Sequence, residues 1–145
     1  MSINIRKGTD EDLPNIYALI KEFAHFQKTP EKVKTTPDQM QKEKAFFHCY
    51  VAEKDGEMIG FASYFFAYYS WTGKSLYLDD LYVSDAFRGK GVGSALLNAV
   101  INLAKEEGCK KMRWQVSNWN KPAIGFYRKM GASIDDVEIN CDLPL

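Results

Sequence analysis

A glycine-rich turn, Arg88-Gly89-Lys90-Gly91-Val92-Gly93, joins an apolar strand pattern to an apolar helix pattern. The strand pattern covers 76–83, and the helix shows apolar residues at helical spacing, namely Val92, Ala95, Leu96, Ala99, Val100 and Leu103. In such a turn backbone N–H groups converge, and the N-terminus of the following helix adds positive potential. The junction therefore predicts a site for a phosphate or pyrophosphate group.

Length and charge restrict the class of protein. The 145 residues fit one domain, 1–145, and the 46% hydrophobic and 14% aromatic content can form a core. The 19 basic and 19 acidic side chains cancel, whereas general nucleic-acid binding requires a basic surplus. No apolar run reaches transmembrane length, and residues 1–6 lack a signal-peptide core. We expect a cytoplasmic protein that binds neither nucleic acid nor membrane.

The three cysteines, Cys49, Cys109 and Cys141, show no C-x-x-C spacing. An odd count without that spacing fits neither a disulfide framework nor a zinc site, so we expect reduced structural thiols and no metal. The neighbouring pair His48-Cys49 resembles a nucleophile and its base. Adjacent side chains on a strand face opposite ways, however, so packing is the favoured role for both.

The order of predicted elements is β-α-α-β-β-β-α-β-α-β, which indicates an α/β (α+β) fold on a mixed sheet. Strands are predicted over 2–7, 46–53, 58–68, 76–83, 111–117 and, weakly, 134–143. Helices are predicted from a Thr9 cap to about Ala24, after Thr36-Pro37, from Val92 to a Gly108 cap, and from Asn120 to a Gly131 cap. Loops are expected at 27–33 and turns at 55–56 and 71–74.

Three interpretations compete for the glycine turn. A P-loop requires a glycine where Tyr68 stands before Gly73-Lys74-Ser75. A dinucleotide fingerprint starting at Gly89 or Gly91 ends on Ser94 or Leu96 rather than glycine. A plain glycine-rich connection is the third possibility. Three alternating glycines exceed what a tight turn needs, and Arg88 and Lys90 bring cationic side chains to the same place, which favours a ligand-binding role.

The pattern R-x-x-G-x-G between a strand and a helix resembles the coenzyme A pyrophosphate loop of the GNAT acetyltransferase superfamily. Further blocks resemble the diamine (spermidine/spermine) and thialysine N-acetyltransferases: F-H-C-Y-V-A-E at 47–53, W-T-G-K at 71–74, Y-L-D-D at 77–80, W-N-K-P at 119–122, F-Y at 126–127 and G-A-S at 131–133. The resemblance extends over about 5–133. It implies a mostly antiparallel central sheet flanked by helices, and a homodimer.

The resemblance also implies acetyl-CoA as co-substrate and assigns its contacts. The pyrophosphate would lie on Arg88, Gly89, Lys90, Gly91, Val92, Gly93 and Ser94. The pantetheine arm would bind the backbone of Leu81, Tyr82 and Val83, with the Val83 N–H polarising the thioester oxygen. A second coenzyme contact would come from Asn120, Lys121, Pro122 and Ala123, together with Tyr127.

Two residues match the proposed catalytic groups of that family. Asp79 stands where a glutamate usually binds the amine and relays its proton through water. Tyr127 stands at the position of the general acid for the leaving thiolate. The alternatives are a solvated strand end for Asp79-Asp80, with Asp80 facing away on a regular strand, and a core aromatic for Tyr127, which shares a helix face with Ile124 and Met130.

The acceptor residues implied by the resemblance are Phe26, Gln27, Asp79, Arg113, Trp114 and Gln115. The family places a glutamate where this chain has Gln27, and Arg113 adds a positive charge that could pair with a carboxylate. We therefore expect a lysine-like or short diamine acceptor rather than spermine. Alternatives are a coenzyme A-binding domain without turnover, and a GNAT enzyme for another amine such as a polyamine or a protein.

Overall fold

The computed structural model describes residues 2–145, and its central sheet has five strands in the order β1-β2-β3-β4-β5. The strands are β1 (Asn4–Lys7), β2 (His48–Lys54), β3 (Glu57–Tyr69), β4 (Gly73–Val83) and β5 (Met112–Arg113). The first four pair antiparallel with their neighbours, and β5 pairs parallel with β4. The prediction of a mixed, mostly antiparallel sheet is confirmed.

Four α-helices accompany the sheet in the described residues: α1 (Leu13–Phe26), α2 (Pro37–Lys42), α3 (Val92–Glu106) and α4 (Lys121–Lys129). Short 3-10 turns occupy Asp10–Asp12, Pro30–Lys32, Lys44–Phe46 and Asp85–Phe87. The chain groups into two compact units, one ending at Trp114 and the other spanning Gln115–Leu145.

Helix α1 begins one turn later than its cap pattern predicts. Thr9 precedes the 3-10 turn Asp10–Asp12, and the Asp12 carboxylate accepts bonds from the Thr9 N–H at 2.7 Å and from the Arg6 guanidinium at 2.7 and 2.9 Å. Ile16 and Leu19 of α1 are buried in one core cluster with side chains of the sheet: Cys49, Val51, Phe61 and Tyr82. This cluster fixes α1 on one face of the sheet.

Helix α3 covers the opposite face. Its buried stripe contains Val92, Leu96, Leu97 and Val100. A Cβ on Gly60 would lie 2.8 Å from the Tyr82 carbonyl oxygen and 3.3 Å from Leu96 Cδ1, so only glycine fits there. Because Gly60 and Phe61 are adjacent on β3, they face opposite sides of the sheet. Helices α1 and α3 therefore enclose the sheet between them.

Two predicted strands are wrong in extent. The strand expected at 111–117 pairs only at Met112–Arg113. Its ladder with β4 ends at Tyr77, because a bulge between Leu78 and Asp80 interrupts the regular residue spacing of β4. The strand expected at 134–143 is absent from the described residues of the unit Gln115–Leu145, which holds no second strand to pair with it. Its apolar residues Val137, Ile139 and Leu143 are exposed.

Smaller differences concern boundaries. The strand expected from Phe46 begins at His48, because Lys44–Phe46 closes a 3-10 turn. The turn expected at 71–74 is shorter, since β4 already begins at Gly73, where φ is +101°. The loop expected at 27–33 contains the turn Pro30–Lys32. None of these shifts moves the glycine turn, which connects β4 to α3 as predicted.

Candidate active site

The edge of β4 that faces β5 is open over its last third. The parallel ladder consists of Leu76 with Met112 and Tyr77 with Arg113, and β4 continues to Val83. Within the unit that ends at Trp114, the main-chain groups beyond Tyr77 on that edge therefore have no ladder partner. An open strand edge presents N–H and C=O groups in a row, which suits an extended amide-containing ligand.

Alternation along β4 decides which residues face this open edge. Ser84 donates its N–H to the Ile59 carbonyl at 2.9 Å, and Tyr82 pairs with Phe61 across the ladder. In an antiparallel pair every second residue bonds the partner strand. The backbone of Tyr82 is therefore turned toward β3, whereas Leu81 and Val83 present theirs to the open edge. Of the three residues predicted to hold a pantetheine arm, these two direct their backbone N–H groups to the open edge, where the Val83 carbonyl already accepts a hydrogen bond from Arg88.

The glycine turn leads directly from this edge into the N-terminus of α3. Gly89 and Gly91 have φ of +75° and +84°, the left-handed region that side chains rarely adopt. Gly91 is the N-cap residue of α3, and its cap has no side-chain hydrogen bond. The first N–H groups of a helix lack partners within it, so those of Val92, Gly93 and Ser94 remain available to an anion.

Arg88 connects the glycine turn to the end of α1. Its Nε donates to the Val83 carbonyl at 2.9 Å, and its guanidinium carbon lies 4.2 Å from the centroid of the Phe26 ring. The same group lies 5.4 Å from the ring of Tyr82. Phe26, predicted for the acceptor site, and Arg88, predicted for the coenzyme site, are thus in direct contact. Gln27 follows as the C-cap residue of α1.

Glu22 is a residue of this region that sequence reasoning missed. Its Oε2 accepts hydrogen bonds from the Tyr82 hydroxyl at 2.6 Å and from the Ser84 hydroxyl at 2.8 Å. These bonds attach the last turns of α1 to the end of β4. A glutamate on the polar side of an amphipathic helix gives no sequence signal for such a role, because it matches the solvated pattern.

A β-bulge lies at the two predicted carboxylates. Ser63 pairs with Asp80 and Tyr64 with Leu78, so Asp79 is an extra residue in β4. Bulges re-aim side chains and are common beside active sites. The regular alternation on which the expectation for Asp80 depends is therefore interrupted at this point.

The charge of Asp79 acts on its neighbour Asp80. Ser63 Oγ donates to Asp80 Oδ2 at 2.7 Å. Burial, and next the negative charge of Asp79, raise the pKa of Asp80 to about 6, although the Ser63 bond lowers it. Asp79 keeps an exposed surface, yet desolvation by the surrounding atoms also raises its pKa. A carboxylate that titrates near neutrality can take a proton from an amine.

Next to the bulge, Tyr77 lies opposite Arg113 in the parallel ladder. Burial raises the pKa of Tyr77, the charge of Asp79 raises it further, and Arg113 lowers it. Arg113 is exposed, and its guanidinium carbon lies 4.6 Å from the centroid of the Tyr69 ring. Trp114 follows it, half-buried.

The remaining predicted residues belong to the unit Gln115–Leu145. Asn120 caps α4 by accepting the Ala123 N–H at 3.3 Å, and Lys121 and Pro122 form the first turn of that helix. Tyr127 is half-buried in α4, and burial raises the pKa of its hydroxyl, which keeps it protonated at neutral pH. Gln115 donates to the Asn140 side chain at 2.8 Å.

The neighbouring residues His48 and Cys49 do not form a nucleophile with its base. His48 is exposed and Cys49 is buried on β2, and burial raises the pKa of the Cys49 thiol to about 12. That thiol is therefore a packing group.

Within residues 2–145 there is no group of three or more His, Cys, Asp or Glu side chains that could hold a metal ion. Over the same residues, no helix is both long enough and apolar enough to cross a bilayer.

Known proteins resemble this chain in sequence and in fold. The acetyltransferase (GNAT) family model matches residues 13–132. The thialysine N-epsilon-acetyltransferase of Sus scrofa is 37% identical over 143 residues, covering 90% of this chain and 84% of that protein. The spermidine/spermine N(1)-acetyltransferase-like protein 1 of Homo sapiens is 34% identical over 139 residues, covering 88% of this chain and 20% of that protein.

Among solved structures, an aminoglycoside acetyltransferase from an uncultured soil metagenomic sample, in complex with trehalose, superposes with a TM-score of 0.82. Its sequence is 20% identical, and the match covers 99% of this chain and 96% of that one. At this identity the likeness concerns the fold, which agrees with the sheet order and helix placement described above.

Proposed function

This chain belongs to the GNAT acetyltransferase family and is an N-acetyltransferase acting on amines, and from that premise we propose that it moves an acetyl group directly from acetyl-CoA to a primary amine of a small cationic acceptor. The proposed acceptor is lysine-like or a short diamine. Relatives named for thialysine and for spermidine and spermine support an acceptor of this size and charge.

The observation that carries the proposal is the continuity of three features along one strand. The bulge at Asp79-Asp80, the open edge at Leu81 and Val83, and the glycine turn at 88–93 follow one another on β4 and its exit. A ligand with a diphosphate at one end and a thioester at the other can lie along this path. The reacting carbon would then reach the carboxylates.

Acetyl-CoA fits this path by its chemistry. The diphosphate would lie on the N–H groups of the glycine turn and the first turn of α3, where glycine φ values are positive and no side chain caps the helix. Leu81 and Val83 would bond the amide-containing arm. When bound, this co-substrate supplies a thioester whose acyl carbon accepts a neutral amine.

On the acceptor side, the chain must remove a proton. An alkylamine has a pKa of about 10.4, so roughly one molecule in 2,500 is neutral at pH 7. Asp79 is the proposed binding and relay group. Asp80 adjoins it, with a pKa raised to about 6, and therefore stays available as a base at neutral pH. Together the two carboxylates attract the ammonium form of the acceptor and pass its proton to water.

Two groups are proposed to stabilise the negative charges that develop on the thioester oxygen and on the departing sulfur. The Val83 N–H is proposed to polarise the thioester oxygen, a role in which one donor contributes about 3–4 kcal/mol in other enzymes. Tyr127 is proposed to protonate the departing thiolate, whose pKa resembles that of cysteine, about 8.5. Homodimer assembly, a single domain over 1–145 and a cytoplasmic location complete the proposal as predictions.

A kinetic panel tests this proposal. The purified chain is assayed with acetyl-CoA and equal concentrations of lysine, thialysine, putrescine, spermidine and spermine, and the product is identified by mass. We expect the highest kcat/KM with lysine, thialysine or putrescine. A strong preference for spermine would contradict the acceptor assignment, and no acetylation of any amine would contradict the proposed activity.

A further inference from the structure

We propose that Arg113, assisted by Lys111, binds a carboxylate on the acceptor, so that the enzyme selects a lysine-like amino acid over the corresponding diamine. This inference rests on the proposed function and makes Arg113 the residue that determines specificity within it. Arg113 would touch a part of the acceptor that does not react.

The first observation is a pair of cations without an acidic partner. Lys111 Nζ and the Arg113 guanidinium carbon each lie 4.6 Å from the centroid of the Tyr69 ring. Within the described chain, the ion pairs involve other cations, at Arg6, Lys44, Lys74 and Arg88. Both positive groups are held at one aromatic ring, so an anion bound beside that ring is attracted by both of them.

The second observation is the position of this pair relative to the carboxylates. Tyr77 lies opposite Arg113, and its hydroxyl responds both to Asp79, which raises its pKa, and to Arg113, which lowers it. The Tyr77 hydroxyl therefore lies within electrostatic range of both Asp79 and Arg113. The site is dipolar, with acids at the bulge and cations across the neighbouring strand.

The separation of the two ends matches one kind of ligand. Asp79 is two residues beyond Tyr77 on β4, and Arg113 is one strand away. A rise of about 3.3 Å per residue and a strand spacing of about 4.8 Å place the two backbones roughly 8 Å apart. An extended amino acid with a terminal side-chain amine spans this gap, with its amine at the acids and its carboxylate at the cations.

The guanidinium is suited to this role, because its planar fork binds both oxygens of a carboxylate. The corresponding diamine offers only an ammonium at that place, with no carboxylate to offset its repulsion by the two cations. The same residue thus favours one acceptor and disfavours the other, which is how specificity usually arises.

Lysine and cadaverine provide the matched test, since they differ only in the carboxylate. The ratio of kcat/KM for lysine to that for cadaverine is measured in the wild-type protein and in Arg113→Gln, Lys111→Gln and Lys105→Gln. Lys105, on an exposed stretch of α3, serves as the control for loss of one positive charge. Circular dichroism and coenzyme A affinity by calorimetry verify that each variant is folded.

We expect the wild-type ratio to exceed one, and Arg113→Gln to lower it at least about tenfold, the effect of losing a hydrogen bond to a charged group. Lys111→Gln should lower it less, Lys105→Gln should leave it within about twofold, and Arg113→Lys should restore part of it. An equal loss for both acceptors would show that Arg113 only stabilises β5, and would overturn the inference while leaving the activity intact. If the wild-type protein acetylates neither lysine nor cadaverine but does acetylate another amine of the panel, the inference is overturned and the proposed function stands. Acetylation of no amine at all would overturn the proposed function itself.

Discussion

The hydroxyl of Ser63 donates a 2.7 Å hydrogen bond to the carboxylate of Asp80 across the β3–β4 ladder, at the point where Asp79 is inserted as an extra residue. Ser63 is 2% exposed, so this bond is shielded from water. It favours the ionised form of Asp80, whereas burial and the neighbouring Asp79 favour the protonated form. The balance sets the pH at which this carboxylate can act.

The first prediction concerns the pH profile of the reaction. With the pKa of Asp80 at about 6, kcat/KM for the amine should decrease below that pH as the carboxylate becomes protonated. Ser63→Ala removes the bond that lowers the pKa, so the acid limb of the profile should move to higher pH. Ser75→Ala is the control, because Ser75 is also buried but donates to the Gly73 carbonyl. A profile unchanged in Ser63→Ala would exclude Asp80 from the proton transfer.

The second prediction concerns stability. A carboxyl group has an ordinary pKa of about 3.9, and that of Asp80 is raised to about 6 in the folded chain. Between about pH 4 and pH 6 the folded state therefore holds more protons than the unfolded state, so the free energy of unfolding falls as pH rises through this range. Asp80→Asn, which carries no charge, should be more stable than wild type at pH 7 while losing activity. A lower denaturation midpoint for Asp80→Asn at pH 7 would contradict the assigned pKa shift.

The third prediction separates ligand binding from backbone strain at the glycine turn. Gly91 and Gly108 stand at the two ends of α3 with φ of +84° and +73°, and neither would bring a new Cβ within 4 Å of another atom. Alanine at either position should therefore cost about 1 kcal/mol of stability from strain alone. Only Gly91→Ala should also weaken coenzyme A binding in calorimetry, because it distorts the turn that holds the diphosphate. Equal coenzyme affinity in both variants would remove the turn from the binding site.

The fourth prediction addresses the general acid. Burial raises the pKa of Tyr127, so the phenol remains a proton donor throughout the neutral range. Tyr127→Phe should reduce kcat at least tenfold, within the roughly 10²–10⁴-fold scale of general acid catalysis, with little change in coenzyme A affinity. Tyr68→Phe is the control, since Tyr68 is 80% exposed on β3. Unchanged turnover in Tyr127→Phe would assign that residue to packing.

The fold was largely predictable because its elements carry local signals. Alternation marked β2 to β4, and three-to-four spacing with capping residues marked α1 and α3. The strands at 111–117 and 134–143 were overestimated for a different reason. Alternation reports only that a segment could be a strand, whereas pairing depends on a partner edge elsewhere in the chain.

The residues of the candidate site could be proposed from the sequence, whereas their geometry could not. The glycine turn and Asp79 belong to short motifs that are recognisable in the sequence, R-x-x-G-x-G at 88–93 and Y-L-D-D at 77–80. The bulge depends on the register between Ser63 and Asp80, two residues far apart in sequence. The contacts of Glu22 with Tyr82 and of Arg88 with Phe26 likewise arise from packing of α1 against the end of β4. Such long-range relationships leave no periodic signal.

An amide-resolved NMR titration with coenzyme A determines whether the edge of β4 and the following turn hold acetyl-CoA. We expect the N–H signals of Leu81, Val83 and residues 89–94 to shift strongly and in parallel, while that of Tyr82, which faces β3, shifts less. Saturable binding that leaves these amides in place and perturbs another part of the chain would contradict this placement of the coenzyme.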